Sequence, residues 1–182
     1  MNITTQDRID QFRQLFAEVF NGEAIQHFVN ELSGMGFFDA PASTKYHGNY
    51  SGGLFDHSYE VTVALLKLTE QLHLHWERKE SPYIVGMFHD LCKCDQYTYD
   101  QKEKAWKYKP NLLLTGHGDK SVILTQTIVP DMTAEEILCI RWHMGAYDDK
   151  ENWNNLGAAI EAYPNVLYTH TADMIASRVR GI

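Results

Sequence analysis

His89 and Asp90 stand side by side in Tyr83-Ile84-Val85-Gly86-Met87-Phe88-His89-Asp90-Leu91-Cys92-Lys93, where an apolar helical segment runs out. Imidazole and carboxylate both ligate metals, but neighbours on a helix point about 100° apart. One ion accepts both only at a helix end; otherwise they flank two ions. His57, His117, His143 and then Asp173 occur at wide intervals, each in its own amphipathic segment. His57 shares a face with Val61, Ala64, Leu65 and Leu68, and His89 shares one with Val85. His117 sits with Ser121, Leu124 and Ile128, His143 with Cys139 and Ile140, and Asp173 with Val166, Thr169 and His170. All are expected to point inward and meet in one pocket. A single inward histidine is usually a hydrogen-bonded core residue. Several imidazoles and two carboxylates buried together are most simply satisfied by a shared cation.

Nitrogen and oxygen donors suit one or two divalent transition ions, Fe, Mn, Ni, Co or Zn, better than Mg or Ca. Cys92-x-Cys94 lacks the second cysteine pair of a thiolate zinc site. With Cys139 the count is three, which gives no disulfide framework and fits a reducing compartment.

The order His57, His89-Asp90, His117, His143, Asp173 resembles the HD-domain superfamily of metal-dependent phosphohydrolases. The likeness runs from about Tyr46 to Arg178. Gly52-Gly53-Leu54-Phe55-Asp56-His57-Ser58 resembles the first-histidine motif, and His89-Asp90-Leu91-Cys92-Lys93 resembles the His-Asp-Ile-Gly-Lys signature, with Cys92 in place of glycine. Gly116-His117-Gly118 and Trp142-His143-Met144 resemble the elaboration of members that hold two ions. The resemblance implies that His57, His89, Asp90 and Asp173 hold the first ion and His117 and His143 the second, with Asp90 bridging. It further implies hydrolysis of a nucleotide or other small phosphate ester by metal-activated water, with no protein nucleophile. Lys93 matches the signature lysine. Lys93, Lys120, Arg141 and Tyr46 are candidates for binding substrate. Asp90, Lys93 and His170 are candidates for the chemistry, His170 as an orienter or proton donor one turn before Asp173. A similar ligand order occurs in HD-fold di-iron oxygenases and 3′-to-5′ exoribonucleases. A nucleotide-binding module without turnover also stays open.

These residues need helices to carry them. The expected architecture is an all-α HD helical bundle with a small β-hairpin insertion. Thr4 to Asn21 and Glu23 to Ser33 read as amphipathic helices, their Phe-rich faces either covering the bundle or meeting a partner such as a second copy. Gly34 to Gly53 reads as a loop whose Tyr46, His47, Asn49 and Tyr50 approach the pocket mouth. Helices are expected over His57 to Leu74, from Ser81-Pro82 into His89-Asp90, and from His117 to near Pro130. Thr133-Ala134-Glu135-Glu136 is a capping box opening the helix that carries His143, and Asn152 to Ala162 and Pro164 to Arg180 complete the set. Gln96 to Pro110, with Tyr97, Tyr99, Trp106 and Tyr108 alternating among polar residues, suits a hairpin.

A length of 182 residues fits one domain, 1–182, with helices over 1–40 covering a metal-binding core over 46–178. No stretch approaches a membrane span and no basic-then-apolar leader opens the chain, so a cytoplasmic location is expected. The net charge of −8 disfavours long nucleic acid, whose binding is driven by Lys and Arg displacing counterions. Lys102, Lys104, Lys107 and Lys109 with Trp106 and Tyr108 form a local basic-aromatic segment, read as an exposed hairpin or a base-and-phosphate contact.

Overall fold

The computed structural model describes residues 3–46 and 48–182; His47, expected near the pocket mouth, lies outside the described residues. Two short helices open the chain. Thr4 and Asp7 form a reciprocal capping box that starts α1 (Thr5–Phe16), and the Asn21 side chain accepts from the Ala24 N–H to start α2 (Gly22–Met35). Helix α1 therefore ends earlier than its apolar spacing suggests. Phe12 and Phe16 stack at 4.1 Å, and Phe16 lies 5.9 Å from Phe88, the residue just before His89. Phe28 meets both Phe16 and Phe88 edge-on. Beneath α1, Arg8 donates from Nε and Nη2 to the two Asp56 oxygens at 2.8 and 2.9 Å, tying α1 to the residue before His57.

The bundle proper consists of α3 (Gly53–Leu72), α4 (Ser81–Phe88), α5 (Gly118–Ile128), α6 (Ala134–Arg141), α7 (Trp153–Ala162) and α8 (Asn165–Met174). Helix α3 packs on α4 and α8, α6 packs on α8, and α5 packs on α6. The α3–α4 crossing is close because Gly86 faces Thr62: a Cβ at position 86 would lie 2.6 Å from the Thr62 Cα. Gly118 makes a similar approach to the Arg141 carbonyl, bringing α5 onto the end of α6.

Between α4 and α5 the chain forms a 3₁₀ turn, Leu91–Asp95, then β1 (Tyr97–Asp100) and β2 (Ala105–Tyr108), which pair antiparallel with Tyr97 opposite Tyr108. The expected hairpin and helical bundle are both present. Two local expectations need correction. The Thr133 capping box opens α6 as expected, but α6 ends at Arg141, so His143 lies in the turn beyond it. The last helix does not run uniformly to Arg180: after Met174 the backbone widens to i→i+5 bonding over Ile175–Arg180. No described helix is long and apolar enough to cross a membrane.

Candidate metal centre

Each of the six chemistry-bearing residues enters from a different element or element end. His57 lies in the first turns of α3, His89 caps the end of α4, and Asp90 starts the 3₁₀ turn. His117 precedes α5, His143 follows α6, and Asp173 lies at the end of α8. Loop and helix-end positions let imidazoles from four directions meet, which consecutive faces of one helix do not allow.

The imidazoles are oriented from behind. Nδ1 of His89 donates to the Gly86 carbonyl at 2.8 Å, Nδ1 of His143 to the Ile140 carbonyl at 2.7 Å, and Nδ1 of His57 to the main-chain oxygen of Ile182 at 2.9 Å. That leaves Nε2 as the inward-facing atom of each ring, which acts as a lone-pair donor whenever it carries no proton. The Nε2 atoms of His57 and His89 are 3.3 Å apart, and His57 Nε2 is 3.3 Å from Asp173 Oδ1. His143 Nε2 is fully buried without a hydrogen-bond partner. Converging buried lone pairs repel unless a cation lies between them, so the donor set fits a metal.

Asp90 divides the cluster. Its Oδ2 faces His89 at 3.4 Å, His57 at 3.7 Å and Lys93 Nζ at 2.6 Å. Its Oδ1 faces His117 Nδ1 at 3.6 Å and His143 Nε2 at 3.5 Å. Three overlapping groups have ligand atoms spaced for an ion: His57, His89 and Asp90; His89, His143 and Asp173; and Asp90, His117 and His143.

Electrostatics follows the geometry. Burial alone would raise the Asp90 carboxyl, but Lys93 and His89, with His117 and His143, hold it well below the carboxylate range. Burial likewise opposes ionised Asp173, and His57, His89 and His143 outweigh it. Burial disfavours the Lys93 charge, yet Asp90 keeps its pKa above the usual lysine value. The Asp90 oxygen, then the Cys92 sulfur, push His117 up to about 10 against the effect of burial.

The other sequence candidates lie around this cluster at different distances. Lys93 is within it. The His170 Nδ1–H donates to the His143 carbonyl at 2.8 Å and its ring packs against Gly145, so it touches the peptide of a cluster histidine. Lys120 is buried with its ammonium on Asp95, and its side chain lines a cavity with Gln96, Leu114 and His117. Arg141 is engaged by Asp119 and Asp148, both at 2.6 Å, and stacks over Trp142. Tyr46 is exposed, and neither it nor Asn49 or Tyr50 lines the cavities beside the cluster.

Those cavities reveal residues that the sequence reading passed over. One of about 150 Å³ is lined by Asp90, Lys93, His117 and Asp173 together with Tyr147 and Arg178. A second of about 260 Å³ shares His117, Met144 and Tyr147 with it and extends to Asp119, Arg141 and Asp148. In a regular α-helix Arg178 would lie about 140° around from Asp173. The widened turn after Met174 carries it to the same cavity. A cation five residues beyond a candidate ligand was the available signal, but helical spacing assigns it to another face.

The chain is similar over its whole length to the dihydroneopterin 2′,3′-cyclic phosphate phosphodiesterase of Methanocaldococcus jannaschii. The two are 27% identical over 185 residues, spanning 100% of this chain and 69% of that protein. No family model and no solved structure matches the chain.

Proposed function

We propose that this protein is a metal-dependent phosphoesterase of the HD-domain superfamily that hydrolyses a small phosphate ester, with a cyclic phosphodiester on a heterocycle-bearing sugar or chain as the first class to test. The observation that carries this reading is the set of backbone-oriented imidazoles whose Nε2 atoms converge on the buried Asp90 and the partly buried Asp173. The similarity to a cyclic-phosphate phosphodiesterase favours phosphoester chemistry at that centre.

His57, His89, Asp90 and Asp173 would hold one ion, and Asp90, His117 and His143 would hold a second. Asp90 offers one oxygen to each side, as its division between His57/His89 and His117/His143 suggests. Divalent ions at such a centre supply Lewis-acid polarisation of the phosphoryl group and lower the pKa of water. Lys93 neutralises Asp90 and lies at the cavity wall, where its ammonium can share a phosphoryl oxygen. Arg178, from the widened turn after α8, lines the same cavity, and Tyr147, with the Arg178 guanidinium 5.9 Å from its ring, offers a face for a flat heterocycle. His170 acts as a positioning residue through the His143 carbonyl. Lys120, Arg141 and Tyr46 are outer contacts at most: the first two already have carboxylate partners.

The test is metal analysis of protein purified without chelator, then turnover of 2′,3′-cyclic phosphodiesters, phosphomonoesters and nucleotides with Mn, Fe, Co, Ni or Zn. Hydrolysis abolished by chelator and restored by one of these ions is the expected result. Binding of the same esters without turnover under every metal would replace this reading with a binding module.

A further inference from the structure

Cys92 occupies the position at which the signature resembled by His89 to Lys93 carries glycine. Its side chain is buried and directed at the cluster. Cys92 Sγ is 3.5 Å from His117 Nδ1 and 3.8 Å from Asp90 Oδ1, and those two atoms are 3.6 Å apart. A point equidistant from three atoms spaced this way lies about 2.1 Å from each, close to zinc–nitrogen, zinc–oxygen and zinc–sulfur bond lengths. A further observation supplies a fourth donor: the buried Nε2 of His143, which makes no hydrogen bond, is 3.5 Å from the same Asp90 oxygen. Oxygen, two nitrogens and sulfur make a set suited to tetrahedral ligation. Cys94, two residues on, packs against the hydrophobic core instead.

We propose that Cys92 is a thiolate ligand of the second metal position, together with Asp90, His117 and His143, and that this position takes a borderline-soft divalent ion, Zn or Co, in preference to Mn or Mg. This rests on reading the cluster as a metal centre. On coordination the S–H bond breaks, its proton leaves to solvent, and the sulfur lone pair forms the metal–sulfur bond; no change of oxidation state occurs. The groupings of His57 with His89 and Asp90, and of His89 with His143 and Asp173, contain only nitrogen and oxygen donors, so they differ in softness from a position that includes Cys92.

Titration of the full chain with Co(II) alone tests this. The expected result is a near-ultraviolet sulfur-to-cobalt charge-transfer band, kept in the Cys94→Ser/Cys139→Ser double variant and lost in Cys92→Ser and Cys92→Gly. The double variant leaves Cys92 as the only cysteine, so the assignment does not depend on a Cys92 variant folding. Cobalt bound without the band, or a band that survives Cys92→Gly, overturns the thiolate ligand while leaving the metal centre standing. Absence of any cobalt binding by the unmodified protein overturns both.

Discussion

Asp90 is the residue on which the cluster depends, because its two oxygens face different histidines. Asp90→Asn keeps the shape and removes the shared charge, so we expect it to lose both ions. His117→Ala removes a terminal donor and should retain about one equivalent under the two-ion ligand scheme. Metal stoichiometry of the two purified variants checks the order; equal and complete loss in both would refute a shared Asp90. His117 also makes a pH prediction. Its pKa is raised to about 10 by Asp90 and Cys92, above the ordinary imidazole value of about 6.5. A raised folded-state pKa stabilises fully below the ordinary value and is lost as pH rises through the folded one. Chelator-treated protein should therefore lose stability between about pH 7 and 10, and His117→Gln should lack that component in denaturant melts. The clustering of His57, His89, Asp90, His117, His143 and Asp173 was legible in the sequence because imidazole and carboxylate have few reasons to be buried together. Cys92 was not, since pairing it with Cys94 hid its proximity to His117.

The last helix shows what periodicity can and cannot convey. Its position and Asp173 follow from spacing, but the change to i→i+5 bonding after Met174 has no signature in the apolar pattern, so Arg178 reads as a surface cation. Arg178→Ala should raise KM for a phosphate ester about tenfold or more, the loss expected for one charge-assisted contact, with kcat and bound metal little changed. Arg178→Lys should recover part of the effect. Steady-state kinetics with metal analysis decides, and an unchanged KM would remove Arg178 from the substrate cavity. The turn after α6 has the same origin: its capping box marked the start, and nothing in the residues marked Arg141 as its end. The hairpin was legible because aromatic alternation over Tyr97 to Tyr108 suits cross-strand pairs, and Tyr97 does face Tyr108.

At the scale of the whole molecule, a net charge of −8 argues against long nucleic acid as the substrate. Polymer binding needs a cationic track, and here Lys120, Arg141 and Arg8 are all engaged by carboxylates. Small esters should turn over far faster than labelled oligonucleotides at matched metal and salt; processive oligonucleotide degradation would reverse the assignment. The molecule also contains a tolerance, in the machinist's sense. Gly86 lends its carbonyl to orient His89, and its bare Cα lets α4 seat against Thr62 of α3, the helix that carries His57. One methyl group there, in Gly86→Ala, forces the two helices apart at a cost of about 1–3 kcal/mol. The gap between the His57 and His89 nitrogens should then widen, and the ranking of metals by affinity should shift toward larger ions with every ligand intact. Competitive metal binding by that variant measures it. If so, metal choice at this centre would be a matter of calibre as much as chemistry, set from a residue that would never touch the ion.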